Sequence, residues 1–377
     1  MKRQRKQLGE LCDLTKGSSP ISKTCPGQYT LVTTGEEHKT SDIYQFDAEA
    51  VCIPLISSTG HGDASLKRVH YYAGKFALAN ILAAAIIKET STLSAKYLAR
   101  YLMYSKDRLI VPLMTGVANM SISIDRLATV PIEYPSIAEQ VHIVKLLDYV
   151  DEIRNLRRQS DCESEALIPA LFDAMFGDTS NPKNCELVKL EDISTRITDG
   201  VHLKPNYTMS GVPFISVKDI TTGKLKFDKC KYISQEDHDK FTKRSKPEYL
   251  DILYTKVGAT YGRPALIDVK NEFSIYVSVC LIKPKKDLVN SNYLTAALGT
   301  PAIKNQADRS IKGIGVPDLH LDQIQKFVIP LPSMELQIEF AARVEEIHKI
   351  ETEQSSSRQS LDALFQSMLH RAFQGEL

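Results

Sequence analysis

Two segments of the chain have apolar residues at helical spacing. The first has apolar side chains at Ile143, Leu146, Leu147, Val150, Ile153 and Leu156, and again, after a polar stretch, at Leu167, Leu171, Phe172, Met175 and Phe176. The second has them at Ile338, Phe340, Val344, Ile347 and Ile350, and again at Leu361, Leu364, Phe365, Met368, Leu369 and Phe373. Spacings of three and four residues predict an amphipathic helix over 136–178 and another over 333–377.

The ends of these predicted helices carry local signals. Ser136, followed three residues later by Glu139, predicts a capping box at the start of the first helix. Pro169 should kink or break that helix, and Gly177 should end it. The second helix keeps a cap at Ser333 but lacks the box. Each helix would be apolar at both ends and polar in the middle, which favours an antiparallel pair.

The two helical segments are copies of one module. At a shift of 197, Asp125 meets Asp322, Pro135-Ser136 meets Pro332-Ser333, Gln140 meets Gln337, and Phe176 meets Phe373. The segments before them are related as well, because 7–11 resembles 189–193 at a shift of 182. A repeat of this length indicates two copies of one structural unit. It predicts a first globule over 1–135, a helix over 136–178, a second globule over 179–332 and a helix over 333–377.

The globules show strand patterns between glycine and proline turns. Strands are predicted over 212–217, 249–256, 265–269 and 273–282 in the second globule, and over 50–56 and 76–87 in the first. The predicted fold class is α+β, with two strand-rich mixed domains that are each followed by a long helix.

Composition narrows the class of protein. The 377 residues are 43% hydrophobic and 25% charged, as in an ordinary globular protein. The longest apolar stretch, 76–87, is too short to span a membrane, and the basic start is followed by no apolar signal core. Seven scattered cysteines without a CxxC pair indicate reduced thiols, which predicts a cytoplasmic protein without a zinc site.

The net charge of +1 hides a repeated pattern along the chain. The two globules carry net charges of +4 and +6, and the two helical segments carry −5 and −4. Basic globules suit a polyanion, which would repel the acidic helices. Chance is the alternative explanation, because these excesses are modest.

The motifs of an enzyme are missing from the sequence. Asn181-Pro182 is followed by Lys183 rather than by the proline and aromatic residue of a DNA methyltransferase loop, and there is no GxGxxG turn. Gly223-Lys224 lacks the rest of a P-loop. The nine histidines show no metal-ligand spacing. We therefore expect a chain that is not an enzyme and binds no cofactor or metal.

A glycine-rich basic loop over 254–264 is the clearest candidate for nucleic-acid contact. Lys256 and Arg263 suit phosphate or a guanine edge, and Tyr261 suits stacking. A charged hairpin turn without a binding role is the alternative. The candidate DNA-binding residues are Lys67, Arg68, Tyr72, Lys75, Lys218, Lys243, Arg244, Lys246, Lys256, Thr260, Tyr261, Arg263 and Lys312.

Several local motifs accompany the duplicated plan. They are GVPFISVKDI at 211–220, VGATYGRPA at 257–265, the Pro-Ser-x-x-x-Gln turns into both helices, and RAFQGEL at 371–377. With these motifs, essentially the whole chain resembles the specificity subunit of type I restriction–modification systems.

The resemblance implies that each globule reads one half of a split, asymmetric site in double-stranded DNA. It implies that the helices fix the spacing and dock two modification subunits, which methylate adenine with S-adenosylmethionine. Restriction subunits would join for cleavage. We expect the partner contacts at Phe172, Phe176, Met368 and Phe373. The alternatives are a recognition part or relic of a single-chain restriction–modification enzyme, and a scaffold that does not bind DNA.

Overall fold

The computed structural model describes residues 3–59, 64–116, 120–177, 182–183, 185–311, 315–374 and 376. The chain forms two compact units. The first comprises Met1–Arg157 with Ser357–Leu377, and the second comprises Arg158–Ser356. Each unit thus combines one globule with part of both helical segments. The division predicted from the sequence, in contrast, treats each globule and each helix as a separate segment.

The first unit is built mainly on one mixed sheet. Its elements are β1 (Gln4–Gln7), α1 (Leu8–Leu11), β2 (Cys12–Lys16), β3 (Tyr29–Val32), β4 (Lys39–Ser41), β5 (Phe46–Pro54), β6 (His70–Leu78), β7 (Leu82–Ile87), α2 (Ala95–Leu109), α3 (Ile124–Ala128), β8 (Pro131–Tyr134) and the first part of α4 (Ile137–Glu165). Six strands form a sheet in the order β2-β7-β5-β6-β3-β4, and β1 pairs with β8. A short 3-10 helix covers Val111–Leu113.

The second unit has the same plan with smaller sheets. Its elements are α5 (Leu167–Phe176), β9 (Glu186–Lys189), β10 (Ser194–Asp199), β11 (Val212–Ile215), β12 (Lys231–Ile233), α6 (Gln235–Thr242), β13 (Ile252–Thr255), β14 (Pro264–Leu266), β15 (Ser274–Ile275), β16 (Val279–Pro284), α7 (Ser291–Leu298), α8 (Pro301–Ser310), α9 (Leu321–Gln325) and β17 (Val328–Leu331). The sheet orders are β10-β16-β13-β14, β12-β11-β15 and β17-β9. The α+β class is confirmed.

Two predicted strands are each a pair of strands. The apolar run 76–87 contains the end of β6, a turn at 79–81 and β7, and the run 273–282 contains β15, a turn at 276–278 and most of β16. In both units the strand before the turn pairs in parallel with an earlier strand, β6 with β3 and β15 with β11. Most residues of each run are apolar because both strands of each pair are buried, so periodicity alone does not show the break.

The signals predicted for the first helix are confirmed. Ser136 N–H donates to a Glu139 carboxylate oxygen at 3.0 Å, and Glu139 N–H donates to Ser136 Oγ at 3.4 Å. The first copy breaks at Ala166, between α4 and α5, because the Pro169 ring cannot accommodate a continuous helix through the preceding turn. Gly177 ends α5 with φ 67°. The second copy, α10 (Met334–Gln374), is unbroken, so only one of the two predicted helices is continuous.

Within each unit the two helical segments run antiparallel. Side-chain contacts pair rising residue numbers in α4 and α5 with falling numbers in α10. They are Arg154–Asp362 (2.8 Å) and Arg157–Ser357 (3.3 Å) in the first unit, and Ser164–Gln354 (2.9 Å) and Met175–Arg343 (3.9 Å) in the second.

A buried glutamine fastens each helix to its globule. The Gln140 amide donates to Thr92 and Pro135 carbonyls, both at 2.9 Å, and accepts from Ser94 N–H at 2.9 Å. Gln337 makes the same three kinds of bond, to Leu288, Pro332 and Asn290. Both side chains are fully buried. The repeated glutamine is therefore structural, because it pairs buried backbone groups at the start of each helix.

Candidate nucleic-acid interface

The same backbone hydrogen bonds recur in both units at one end of the main sheet. They are Leu55 N–H to Ile81 C=O and Ile122 N–H to Leu55 C=O in the first unit, and Lys256 N–H to Ser278 C=O and Leu319 N–H to Lys256 C=O in the second, at 2.9–3.0 Å. These bonds make Leu55 the structural equivalent of Lys256. The residues before Ile122 and Leu319, Ser121 and Asp318, are equivalent in turn.

A pair of glycines confirms this correspondence. Lys16 pairs with Ala83, and Asp199 pairs with Cys280, at the same place in the two sheets. A Cβ on the next residue, Gly17, would lie 2.2 Å from the Ala79 carbonyl oxygen, and one on Gly200 would lie 2.0 Å from that of Ile275. Only glycine fits at either position, because another backbone passes too close. Lys16 and Asp199 are therefore equivalent.

An ion cluster occupies this place in the second unit. Lys256 Nζ lies 3.3 Å from Asp318 Oδ1 and 3.8 Å from Asp199 Oδ2, and the Lys256 side chain is only 7% exposed. Arg244 adds a bond of 2.7 Å to Asp199. His202 Nε2 lies 3.3 Å from the same carboxylate. Lys256 is thus enclosed by carboxylates of its own chain, which favours a structural role, and its assignment as a DNA contact stays a prediction.

The loop after β13 is a hairpin turn whose backbone is held by side-chain hydrogen bonds. Thr255 Oγ1 donates to the Thr260 carbonyl at 2.7 Å and accepts from Arg263 N–H at 2.8 Å. Gly258 and Gly262 have φ values of 90° and 85°, which other residues rarely adopt. The backbone of this loop thus forms a hairpin turn, and its role in binding DNA stays a prediction.

Tyr261 is covered by its neighbours. Its hydroxyl donates to Asp308, and Lys304 Nζ lies 3.8 Å from its ring centroid. Hydrogen bonds from Lys304 and then Tyr261 lower the pKa of the Asp308 carboxyl. One ring face already has a cation over it, and the half-buried ring also packs against the core of the second unit.

The remaining candidates of the second unit are more accessible. Arg263 is exposed, although one nitrogen of its guanidinium group donates to the Thr221 carbonyl, and Thr260 is half-buried. Arg244 keeps 53% of its side chain exposed despite its bond to Asp199. Lys218, Lys243 and Lys246 are exposed. Lys312 lies outside the described residues.

The first unit spreads its candidates over several contacts. Arg68 forms an ion pair of 2.9 Å with Glu36, and the half-buried Tyr72 donates to Thr30 Oγ1 at 2.6 Å. Lys75 Nζ lies 5.0 Å from the ring centroid of Tyr44, whose side chain is exposed. The exposed Lys67 lines a small cavity. Arg68, Tyr72 and Lys75 thus each have a partner within the first unit.

Neither a metal site nor a membrane segment is present in the described part of the chain. No three His, Cys, Asp or Glu side chains there are grouped to hold a metal ion. None of the described helices is long and apolar enough to cross a bilayer.

Comparison with protein families gives the decisive observation. The family described as "Type I restriction modification DNA specificity domain" matches twice, over residues 2–161 and 182–361. The chain belongs to this type I specificity family. The two matches coincide with the two copies of the repeat, each covering a globule and most of the helical segment after it.

Two curated relatives share part of the specificity chain. The type I restriction enzyme EcoBI specificity subunit of Escherichia coli is 32% identical over 171 residues, which are 44% of this chain and 36% of the relative. A putative type I restriction enzyme MjaX specificity subunit of Methanocaldococcus jannaschii is 27% identical over 167 residues, 42% of this chain and 38% of the relative. The chain therefore matches little more than a third of either relative's length. Both are named as specificity subunits, in agreement with the expectation that this specificity chain is not an enzyme.

Solved structures share the fold of the specificity family along the whole chain. The S subunit of a type I system from M. genitalium has a TM-score of 0.57 at 16% identity, with 99% of this chain and 96% of that one covered. A chain from a study of complex assembly in the type I system has a TM-score of 0.62 at 16% identity, with 100% and 98% covered. At this identity the likeness shows the fold alone.

The residues expected to contact partner subunits are core residues of the specificity chain. Phe172 and Phe176 pack with Tyr293 and Phe340, and Phe373 packs among tyrosines of α2. All three are at most 4% exposed, and Met368 is half-buried against the first unit's core. The chain's own globules already cover the apolar area of the three phenylalanines, and docking at them and at Met368 stays a prediction.

Other side chains on the helices are exposed and apolar. They are Val141, Tyr149, Leu156 and Leu364 in the first unit, and Leu167, Leu336, Ile338 and Ile350 in the second. Sequence periodicity missed them as surface residues because several, such as Leu156, Ile338 and Ile350, follow the same spacing as the core positions. Asp199 and Asp318 were also missed, since nothing local to either marks a partner for Lys256.

Proposed function

We propose that this chain is the subunit that directs a type I restriction–modification complex to a two-part, asymmetric target in double-stranded DNA. The observation that carries the proposal is one scaffold present twice with different side chains at equivalent positions: Lys16 and Asp199, Leu55 and Lys256, Ser121 and Asp318. A common backbone with different side chains suits two readers of different half-sites.

The helices are proposed to set the spacing of the half-sites and to dock two modification subunits. The exposed apolar residues of α4 and α10 support docking there, because exposed apolar side chains mark interaction surfaces when they cluster. The helical segments are also acidic, which disfavours DNA at the same surface. In this proposal the modification subunits bind S-adenosylmethionine, and restriction subunits add DNA cleavage. The complex is proposed to act in the cytoplasm.

The experiment is to sequence methylated adenines in DNA from cells that express the chain with its modification subunits. The expected target is two short specific blocks separated by a non-specific gap. Removing seven residues from the polar middle of both α4 and α10 shortens each helix by about 10 Å, equivalent to about 3 base pairs. The gap should change while both blocks stay the same. A contiguous target, or a changed block with an unchanged gap, contradicts the proposal.

Readout by the second unit is tested with Arg263→Ala. An arginine on a guanine edge supplies about 1–3 kcal/mol of discrimination, so one position of one half-site should relax. The other half-site should keep its sequence, since the units are separate copies. Lys75→Ala in the first unit is the matched variant and should affect only the other block. Relaxation of both blocks by either variant contradicts independent reading.

Docking is tested by co-purification with the modification subunit. Leu156→Asp and Ile350→Asp change side chains that are 60% and 47% exposed, so the fold should persist while partner capture falls. Exposed Lys23→Asp in the first globule is the matched control. Full capture by both helix variants contradicts the docking surface.

A further inference from the structure

The first unit has an open cavity where the second unit has its ion cluster. The cavity has a volume of about 400 Å³, and Lys16, Leu55 and Ser121 are part of its wall. These are the equivalents of Asp199, Lys256 and Asp318. One position in the fold is therefore open and cationic in one copy and is filled by an internal ion cluster in the other.

The wall of this cavity is suited to an anion. Lys16 and Arg126 supply positive charge, and Asn80, Ser121 and Ser123 supply neutral hydrogen-bonding groups. Lys16 and Arg126 are exposed. One guanidinium N–H of Arg126 donates to the Leu113 carbonyl at 3.3 Å. A guanidinium has five N–H donors, so Arg126 can also donate to an anion.

A second cavity extends the first. It has a volume of about 240 Å³, shares Ile56 and Ile81 with the larger cavity, and adds Lys67 and Ser57. We call the two together the first-unit cleft. No carboxylate is among the described residues that line it, and no described carboxylate pairs with Lys16, Lys67 or Arg126. Three cations that no described carboxylate pairs with, placed in a concave surface, concentrate positive potential there.

The second unit has the opposite electrostatics at the equivalent place. Asp199 is 3% exposed and forms an ion pair with Arg244, while Asp318 forms one with Lys256. An anion brought to this place would meet two carboxylates whose cations are already neutralised. The difference comes from substitutions on one backbone, since the hydrogen bonds that frame the place are the same.

We propose that the first-unit cleft binds the phosphate backbone of DNA, and that the equivalent place in the second unit is closed to phosphate by its ion cluster. This inference rests on the proposed function and assigns a contact within it. Lys16 and Arg126 would each neutralise a phosphate in the cleft and release the cation condensed on that phosphate, which makes binding salt-dependent. Phosphate contacts set position and carry no base preference.

The test measures the affinity of the full chain with its modification subunits for a duplex that carries its selected target, from 50 to 200 mM salt. Lys16→Gln and Arg126→Gln should each reduce the slope of log affinity against log salt by about 0.9. For the variant with both changes, the ratio of wild-type affinity to variant affinity should fall about twelvefold between 50 and 200 mM salt. The preferred bases should not change. Exposed Lys23→Gln, which does not line the cleft, is the matched control.

Thermal unfolding of each variant shows whether the fold is intact, and Lys16→Ser serves as a second variant if Lys16→Gln unfolds. Slopes equal to that of Lys23→Gln overturn the cleft assignment while leaving the proposed function in place. A relaxed base position with an unchanged slope also overturns it, because the cleft would then read bases. A wild-type complex that prefers no sequence refutes the proposed function and this inference with it.

Discussion

Phe373 offers a direct test of how the C-terminal helix is held. Its ring is 4% exposed and lies 5.7 Å from Tyr97, 5.6 Å from Tyr101 and 5.2 Å from Tyr104, measured between ring centroids. All three tyrosines belong to α2, which packs in the same core. Phe373 therefore attaches the end of α10 to the first globule.

Phe373→Ala should strongly destabilise the first unit. Truncating a buried phenylalanine costs about 3–5 kcal/mol, including the cavity left behind. Aromatic pairs contribute about 0.5–1.5 kcal/mol each beyond burial, so loss of three pairs places the cost in the upper part of that range. The stability of a whole domain is about 5–15 kcal/mol. For a unit of this size the expected fall in melting temperature is about 6–20 °C.

The assay is thermal unfolding followed by circular dichroism, with Leu364→Ala on the same helix as the matched control. Leu364 is 51% exposed, so its truncation should change the melting temperature by only a few degrees. A Phe373→Ala variant that melts like wild type yet loses the modification subunit would refute the burial argument. It would also favour the prediction that Phe373 is a docking residue.

Three further outcomes follow from buried groups. Gln337→Leu should destabilise the second unit by about 1–3 kcal/mol in urea unfolding, because Asn290 N–H loses its buried acceptor, while exposed Gln374→Leu should not. Burial, followed by the charges of His38 and Arg68, lowers the pKa of His70 from 6.5 to about 4. The neutral imidazole therefore stabilises the first unit fully above pH 6.5, and this stability is lost as the pH falls toward 4. His70→Asn should flatten the dependence of unfolding free energy on pH between 4 and 6.5, and an unchanged dependence would contradict this role of His70. Asp199→Asn should lower second-unit stability more than Lys256→Met in the same urea assay, since it leaves both Lys256 and Arg244 short of a carboxylate, and the reverse order would contradict the ion cluster.

The sequence by itself determined the duplication, the fold class and the local events along the helices. The break near Pro169, the capping box at Ser136 and the end at Gly177 are all visible in sequence because each depends on residues within one or two turns. The family followed from motifs that are contiguous in the chain. These features need no knowledge of what packs against them.

Only the tertiary structure decided which side chains are available. Phe373 and Leu364 lie on the same apolar pattern, yet one is buried and the other exposed, because the globule covers only one face of the helix. Lys256 is enclosed because Asp199 and Asp318, far away in sequence, fold onto it. The first-unit cleft likewise joins Lys16 to Arg126 across more than a hundred residues of chain. Burial and charge pairing depend on long-range contacts, which periodicity along a single chain does not record.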